Sequence, residues 1–218
     1  MSSQIRGGTR WKRFALVMVP SVVATAAVGV GLAQGALAAS FSVSGQDFKV
    51  TASELNGDNF IQYGNVASGD VGNHPVAVSG FSHATITNMC QSVVTPNLPF
   101  GLGTWTLKLK AGTDVKNPVV AENLYLDVSQ LDADATFTNI DIGVAAKDLG
   151  KETNFGVQPG TGALDGAKAY GFGQRAQKAV LTDVEQRAWA TTAGTFKLTD
   201  LSLRLNNNAD ECQLPPKK

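Results

Sequence analysis

Leu124-Tyr125-Leu126-Asp127-Val128-Ser129-Gln130, followed by Ala135-Thr136-Phe137-Thr138 and Asn139-Ile140-Asp141-Ile142, decides the fold. Apolar and polar side chains alternate along these runs, and β-branched and aromatic residues are frequent. That is the period of a strand with one dry face and one wet face. The pattern returns further on. Asp183-Val184-Glu185-Gln186 echoes Asp127 to Gln130, and Gly194-Thr195-Phe196-Lys197 echoes Ala135 to Thr138. Leu198-Thr199-Asp200-Leu201 then follows as Asn139 to Ile142 does, and a weaker third copy is Ala84-Thr85-Ile86-Thr87-Asn88-Met89. Such self-similarity marks repeated supersecondary units.

Working outward, Phe41 to Ser44, Val76 to Ser79, Trp105 to Leu109 and Phe196 to Thr199 keep the same period, and Leu201-Ser202-Leu203-Arg204-Leu205 keeps it most cleanly. Turn chemistry separates the runs at Asn56-Gly57-Asp58-Asn59, Ser68 to Asn73, Ala111 to Asn117 and Gly150 to Gly166. Residues 179–191 carry two readings. Ala176, Val180, Val184 and Ala188 have helical spacing, whereas the echo of 124–130 predicts a strand, and the strand is preferred. The fold expected is all-β, with long, mostly antiparallel strands in packed sheets and imperfect internal repeats. A β-helix or solenoid is the alternative.

The chain has 218 residues, with 18 Lys+Arg against 18 Asp+Glu. The zero balance conceals two segments. Residues 1–38 hold Arg6, Arg10, Lys12 and Arg13 and no acid, which leaves 14 basic and 18 acidic residues in the rest. An acidic remainder argues against nucleic acid as a partner. The basic start, the uncharged run Phe14–Leu32 and the small-residue site Ala36-Leu37-Ala38 read together as a secretory signal. Residues 1–38 are therefore expected to be a signal helix, cleaved between Ala38 and Ala39. The alternative is an uncleaved anchor that touches the membrane, since 19 residues nearly span a hydrocarbon core of about 30 Å. Either way residues 39–218 are expected outside the cytoplasm, as a single β-rich domain that is secreted or held on the outer face of the envelope. The only two cysteines, Cys90 and Cys212, lie in that part, and an even count in an exported chain predicts one disulfide.

Catalytic chemistry is thin. The chain has no Gly-x-Ser-x-Gly, and its only two histidines, His74 and His83, come early, whereas an α/β-hydrolase places its histidine last. Ser79 and His83 are too far apart along a strand for a direct hydrogen bond. No catalytic residue and no cofactor is assigned. Asp132 and Asp134 share a strand face and are the weak candidates for a metal, but the stretch lacks the Gly and Glu of a Ca²⁺ loop of the EF-hand type. Trp105, Phe137, Phe172 and Trp189 are candidates to line an apolar ligand cavity, which would make a lipid or a cell-surface component the partner. The competing role for these rings is core filling.

Several blocks carry a family resemblance. They are Arg6-Gly7-Gly8-Thr9-Arg10-Trp11-Lys12-Arg13-Phe14, Ala33 to Phe41, Thr87-Asn88-Met89-Cys90-Gln91-Ser92-Val93, Gln130 to Phe137 and Ala188-Trp189-Ala190-Thr191-Thr192-Ala193-Gly194-Thr195-Phe196. Nearly the whole chain resembles an exported actinobacterial family of unknown function whose members are often automatically named "cholesterol esterase". The resemblance implies export and supplies no catalytic residues. A small secreted lipid or sterol ester hydrolase is thus one alternative to a non-enzymatic binding protein, and a membrane-anchored subunit of an envelope complex is another.

Overall fold

A computed structural model of the chain describes residues 45–69, 72–98 and 102–214. The expected signal helix, its Ala36, Ala38 and Ala39 cleavage site and the run Phe41–Ser44 lie outside the described residues. Contacts gather Phe41–Gln158 and Gly162–Lys218 into one unit; a second unit, Met1–Ser40 with Pro159–Thr161, lies mostly outside the described residues.

The larger unit is all-β. Its strands are β1 (Phe48–Gly69), β2 (Gly72–Thr87), β3 (Met89–Leu98), β4 (Gly103–Ala111), β5 (Val119–Ala145), β6 (Phe172–Thr192), β7 (Thr195–Lys197) and β8 (Ser202–Asn206). Every ladder is antiparallel, so the structure is not the solenoid alternative. The strand at 179–191 is present within β6. The strands form one sheet in the order β2-β5-β6-β1-β3-β4-β8, with β7 on β5. An additional β1–β2 pairing closes β1, β2, β5 and β6 into a ring, so one sheet rolls on itself where two packed sheets were expected.

The rolling follows from one local device. Asn59, Asn123, Asn139 and Asp183, inside strands, and Asn88, between β2 and β3, have φ between 49° and 53°, in the left-handed region. Asn and Asp tolerate this region better than other residues with a Cβ. At each one the alternation of core-facing side chains slips by one position. In β1 the core side passes from Leu55 to Phe60, and in β6 from Leu181 to Val184. These residues lie in rows. The ladder partners place Asn139, Gln177, Asn59, Ser82 and Asn123 side by side, so the row runs round the ring and returns to β5. Register is the same on both sides of the row (Asp58↔His83 and Ile61↔Gly80), because all the strands turn over together. Side chains tie the row: Asn59 Nδ2 donates to Ser82 Oγ at 2.9 Å, and Asn139 Nδ2 to Gln177 Oε1 at 2.7 Å. A second row holds Asp183, Ser53, Asn88 and Gly112. There Asn88 Nδ2 donates to Ser53 Oγ at 3.1 Å and Asn88 N to Gly112 O at 2.8 Å.

This corrects the reading of Asn56–Asn59 as a turn: the stretch is the middle of β1. Gly57 is there because a Cβ would stand 2.2 Å from the Phe81 ring. Two apolar clusters result. Leu55, Phe60, Phe81, Leu124, Leu126 and Leu181 pack inside the ring. Ile61, Tyr63, Val78, Tyr125 and Ala190 pack on its outer side beneath Leu149, Phe155 and Ala163 of the β5–β6 connection. Tyr125 Oη donates to Gly156 O at 3.0 Å, and Gln158 N donates to Tyr63 Oη at 2.9 Å, which pins that connection to the barrel wall.

Candidate functional site

Three features of the rolled sheet could meet a ligand. The first is a cavity of about 150 Å³ inside the ring, lined by apolar side chains that include Phe60, Phe81, Phe137 and Leu181. A polar relay crosses its wall: Gln174 Nε2 donates to Gln62 Oε1 at 2.6 Å, and Gln62 Nε2 donates to Ser79 Oγ at 2.9 Å. The volume matches an apolar cavity that admits benzene. It is well below the roughly 300–1,000 Å³ of pockets that enclose drug-sized ligands.

The second feature is the inner face where the ring gives way to the open sheet. Ladder partners align Leu131, Gln186, Val50, Gln91, Leu109 and Leu203 across six strands. Gln186 and Val50, in the middle, are 4% and 8% exposed, while Leu131 and Leu203 at the two edges are 37% and 60% exposed. The dry interior therefore runs out into solvent at both ends of the row. At the β8 end the exposed surface is continuous, because Leu107 pairs with Leu205 and Leu109 with Leu203, while Leu201 is also exposed. Contiguous exposed apolar surface of this kind marks an interaction site.

The third is the outer face of the same β4–β8 ribbon. Lys108 stands directly across from Arg204, and Lys110 across from Ser202. With Asn206 and Asp210 these side chains line a groove of about 210 Å³. Two cations directly opposite each other repel. Asp210 offsets one of them, with its carboxylate 2.6 Å from Lys108 Nζ. The hydrogen bond from Lys108 holds the Asp210 carboxyl below its ordinary pKa, so it stays ionised. The C-terminal segment fixes this face. Cys212 is disulfide-bonded to Cys90, its N–H donates to Ser92 Oγ at 3.0 Å, and Thr106 Oγ1 donates to Asn208 O at 2.6 Å.

The four aromatic residues singled out from sequence are not brought together. Phe137 lines the inner cavity and packs on Phe60 with ring centroids 5.1 Å apart. Trp189 lies on the outer side, stacked on His74 at 3.6 Å. Phe172 is 64% exposed at the start of β6. Trp105, on β4, donates its indole N–H to Leu102 O at 2.8 Å. Alternation assigns faces only within an uninterrupted strand, and the left-handed rows reset it. Asp132 and Asp134 are exposed on β5, and no group of three or more His, Cys, Asp or Glu that could hold a metal is assembled among the described residues. His83 pairs with Glu122 at 2.7 Å, and Ser79 is buried and engaged by Gln62. Sequence reading missed the leucine face as a site. Its signal was available in Leu201-Ser202-Leu203-Arg204-Leu205, whose two faces are leucine and polar with no aromatic plug.

The geometry defines a class: an antiparallel β-barrel whose sheet stays open along one side and whose inner face is apolar at both free edges. Within that class the chain belongs to a family of unknown function, DUF6230, whose family model matches residues 44–213. No curated protein and no solved structure matches the chain.

Proposed function

We propose that this protein is an exported, non-enzymatic binding protein of the cell envelope or extracellular space, and that the β4–β8 ribbon docks on an anionic lipid. The observation that carries the reading is the two-faced ribbon. Leu107, Leu203 and Leu205 are exposed on one side, and Lys108, Lys110 and Arg204 line a groove on the other. Acyl chains suit the first face and headgroup phosphates the second, because leucine gains about 25 cal/mol per Å² of apolar surface removed from water and cations neutralise phosphate. The Cys90–Cys212 disulfide fits an oxidising compartment, and the basic and apolar start of the chain supplies an export signal. Nothing favours the ester-hydrolase alternative: the inner cavity is too small for a sterol, and neither histidine hydrogen-bonds to a serine among the described residues. Native mass spectrometry of the chain purified from its own host tests the proposal. A co-purifying anionic lipid is the expected result. A chain that carries none, and that turns over acyl esters with His83 required, would replace this reading with the hydrolase.

A further inference from the structure

We propose that the free edge of β5 over Ser129–Thr138 captures an extended segment of a partner protein by strand addition, and that this segment alternates apolar and basic residues. The site lies at the end of the strand row opposite β8 and is independent of the lipid reading. On one side of β5 the ladder with β2 ends at Ala77↔Val128. Beyond that point β5 keeps β6 on its other side, and no described strand covers the free side. Unpaired main-chain groups along an exposed strand are a template for another strand.

The side chains specify what fits. Leu131, Ala133, Ala135 and Phe137 face the cavity of about 150 Å³, and Leu131 and Ala135 are exposed at its mouth. The two alanines leave room beside the cavity for an incoming side chain, and the volume suits one aromatic or leucine-sized group. On the opposite face Asp132 and Asp134 are exposed, and Asp132 stands directly across from Glu185. Glu185 has Lys49 as its partner at 2.9 Å. Acidic side chains opposite each other are unfavourable, and cations on a neighbouring strand relieve them. The same charges disfavour a second copy of this chain, because antiparallel pairing of two β5 edges about Ala133 would set Asp132 of one strand against Asp134 of the other. They favour a strand with apolar residues turned inward and Lys or Arg turned outward.

The test uses the full chain and three labelled decapeptides, read by fluorescence anisotropy. The first alternates Val and Lys, the second replaces Lys by Glu, and the third is the Val/Lys peptide with alternate amides N-methylated. The Val/Lys peptide is expected to bind at least about ten-fold more tightly than either control. Asp132→Lys/Asp134→Lys, a surface change, is expected to invert the preference toward the Glu peptide. Amide exchange within Ser129–Thr138 is expected to slow when the Val/Lys peptide is bound. Equal binding by the N-methylated peptide would reduce the effect to charge attraction and overturn strand addition. Absence of binding would overturn it as well, and so would concentration-dependent protection of these amides without peptide, because a second copy would then occupy the edge.

Discussion

Replacing Asn59 separates the left-handed rows from ordinary strand packing. Asn59 has φ 53° within β1, and its Nδ2 donates to Ser82 Oγ at 2.9 Å. Asn59→Gly removes the side-chain hydrogen bond and keeps the conformation free of strain, a loss of about 1 kcal/mol. Asn59→Val removes the same bond and forces a β-branched residue into the left-handed region, a further cost of about 1–2 kcal/mol. The valine variant is therefore expected to lose about 2–3 kcal/mol in total. Urea unfolding under non-reducing conditions, followed by tryptophan fluorescence, reads both. With a slope of about 2 kcal/mol per M, the midpoint should fall by about 0.5 M for Gly and by more than about 1 M for Val. A valine variant as stable as the glycine variant would refute the reasoning, because β-branched residues are favoured in an ordinary strand.

Three further outcomes concern the disulfide, the close approach at Gly57 and a half-buried carboxyl. Reducing the Cys90–Cys212 bond, which spans 122 residues of sequence, or replacing both cysteines by serine should lower stability by about 4–5 kcal/mol in the chain-entropy limit, measured by denaturant titration. Gly57→Val should destabilise by about 1–3 kcal/mol, since its Cβ would strike the Phe81 ring, and Phe81→Leu in the same chain should recover part of the loss. Asp127 lies between buried Val78 and Ala190 in the ladder, and burial pushes its carboxyl up to about 6. Between the unfolded pKa of about 3.9 and that value the folded state keeps a proton that the unfolded chain releases. The Asp127 contribution therefore makes stability fall as pH rises through this window. Asp127→Asn should flatten the trend in pH-dependent thermal melts and raise stability at pH 7. At lower pH the opposite slope comes from Asp148 and Asp210, whose carboxyls are held below the ordinary range by hydrogen bonds from Lys151 and Lys108.

Strand content was legible because alternation survives wherever a strand is half-buried. Leu124–Val128, Trp105–Leu109 and the contested 179–191 segment all lie in strands. The Cys90–Cys212 disulfide was legible from the even cysteine count together with the expectation of export. Closure of the sheet was not, because the residues that produce it use turn chemistry. Asn in the left-handed region looks the same in a hairpin and in mid-strand, and Asn56–Asn59 was read as the former. The distinguishing signal is the next residue. Each described Asn or Asp with positive φ precedes an apolar side chain: Asn59-Phe60, Asn88-Met89, Asn97-Leu98, Asn123-Leu124, Asn139-Ile140, Asn154-Phe155, Asp183-Val184 and Asp200-Leu201. The repeats seen at Thr87-Asn88-Met89 and Thr138-Asn139-Ile140 are this device, one copy in each row. The candidate site was less legible, since the face on which each aromatic ring lands depends on how many such residues precede it in its strand.

The proposed docking of the β4–β8 ribbon is tested most directly by flotation of the purified chain with vesicles, either of phosphatidylcholine alone or with phosphatidylglycerol added. The wild type should float with the anionic vesicles and stay behind with the neutral ones. Leu203→Asp/Leu205→Asp, on the exposed face, and Lys110→Glu/Arg204→Glu, in the basic groove, should each abolish flotation while leaving the thermal melt intact. A wild type that ignores both vesicle types, or variants that float as well as it does, would contradict the account.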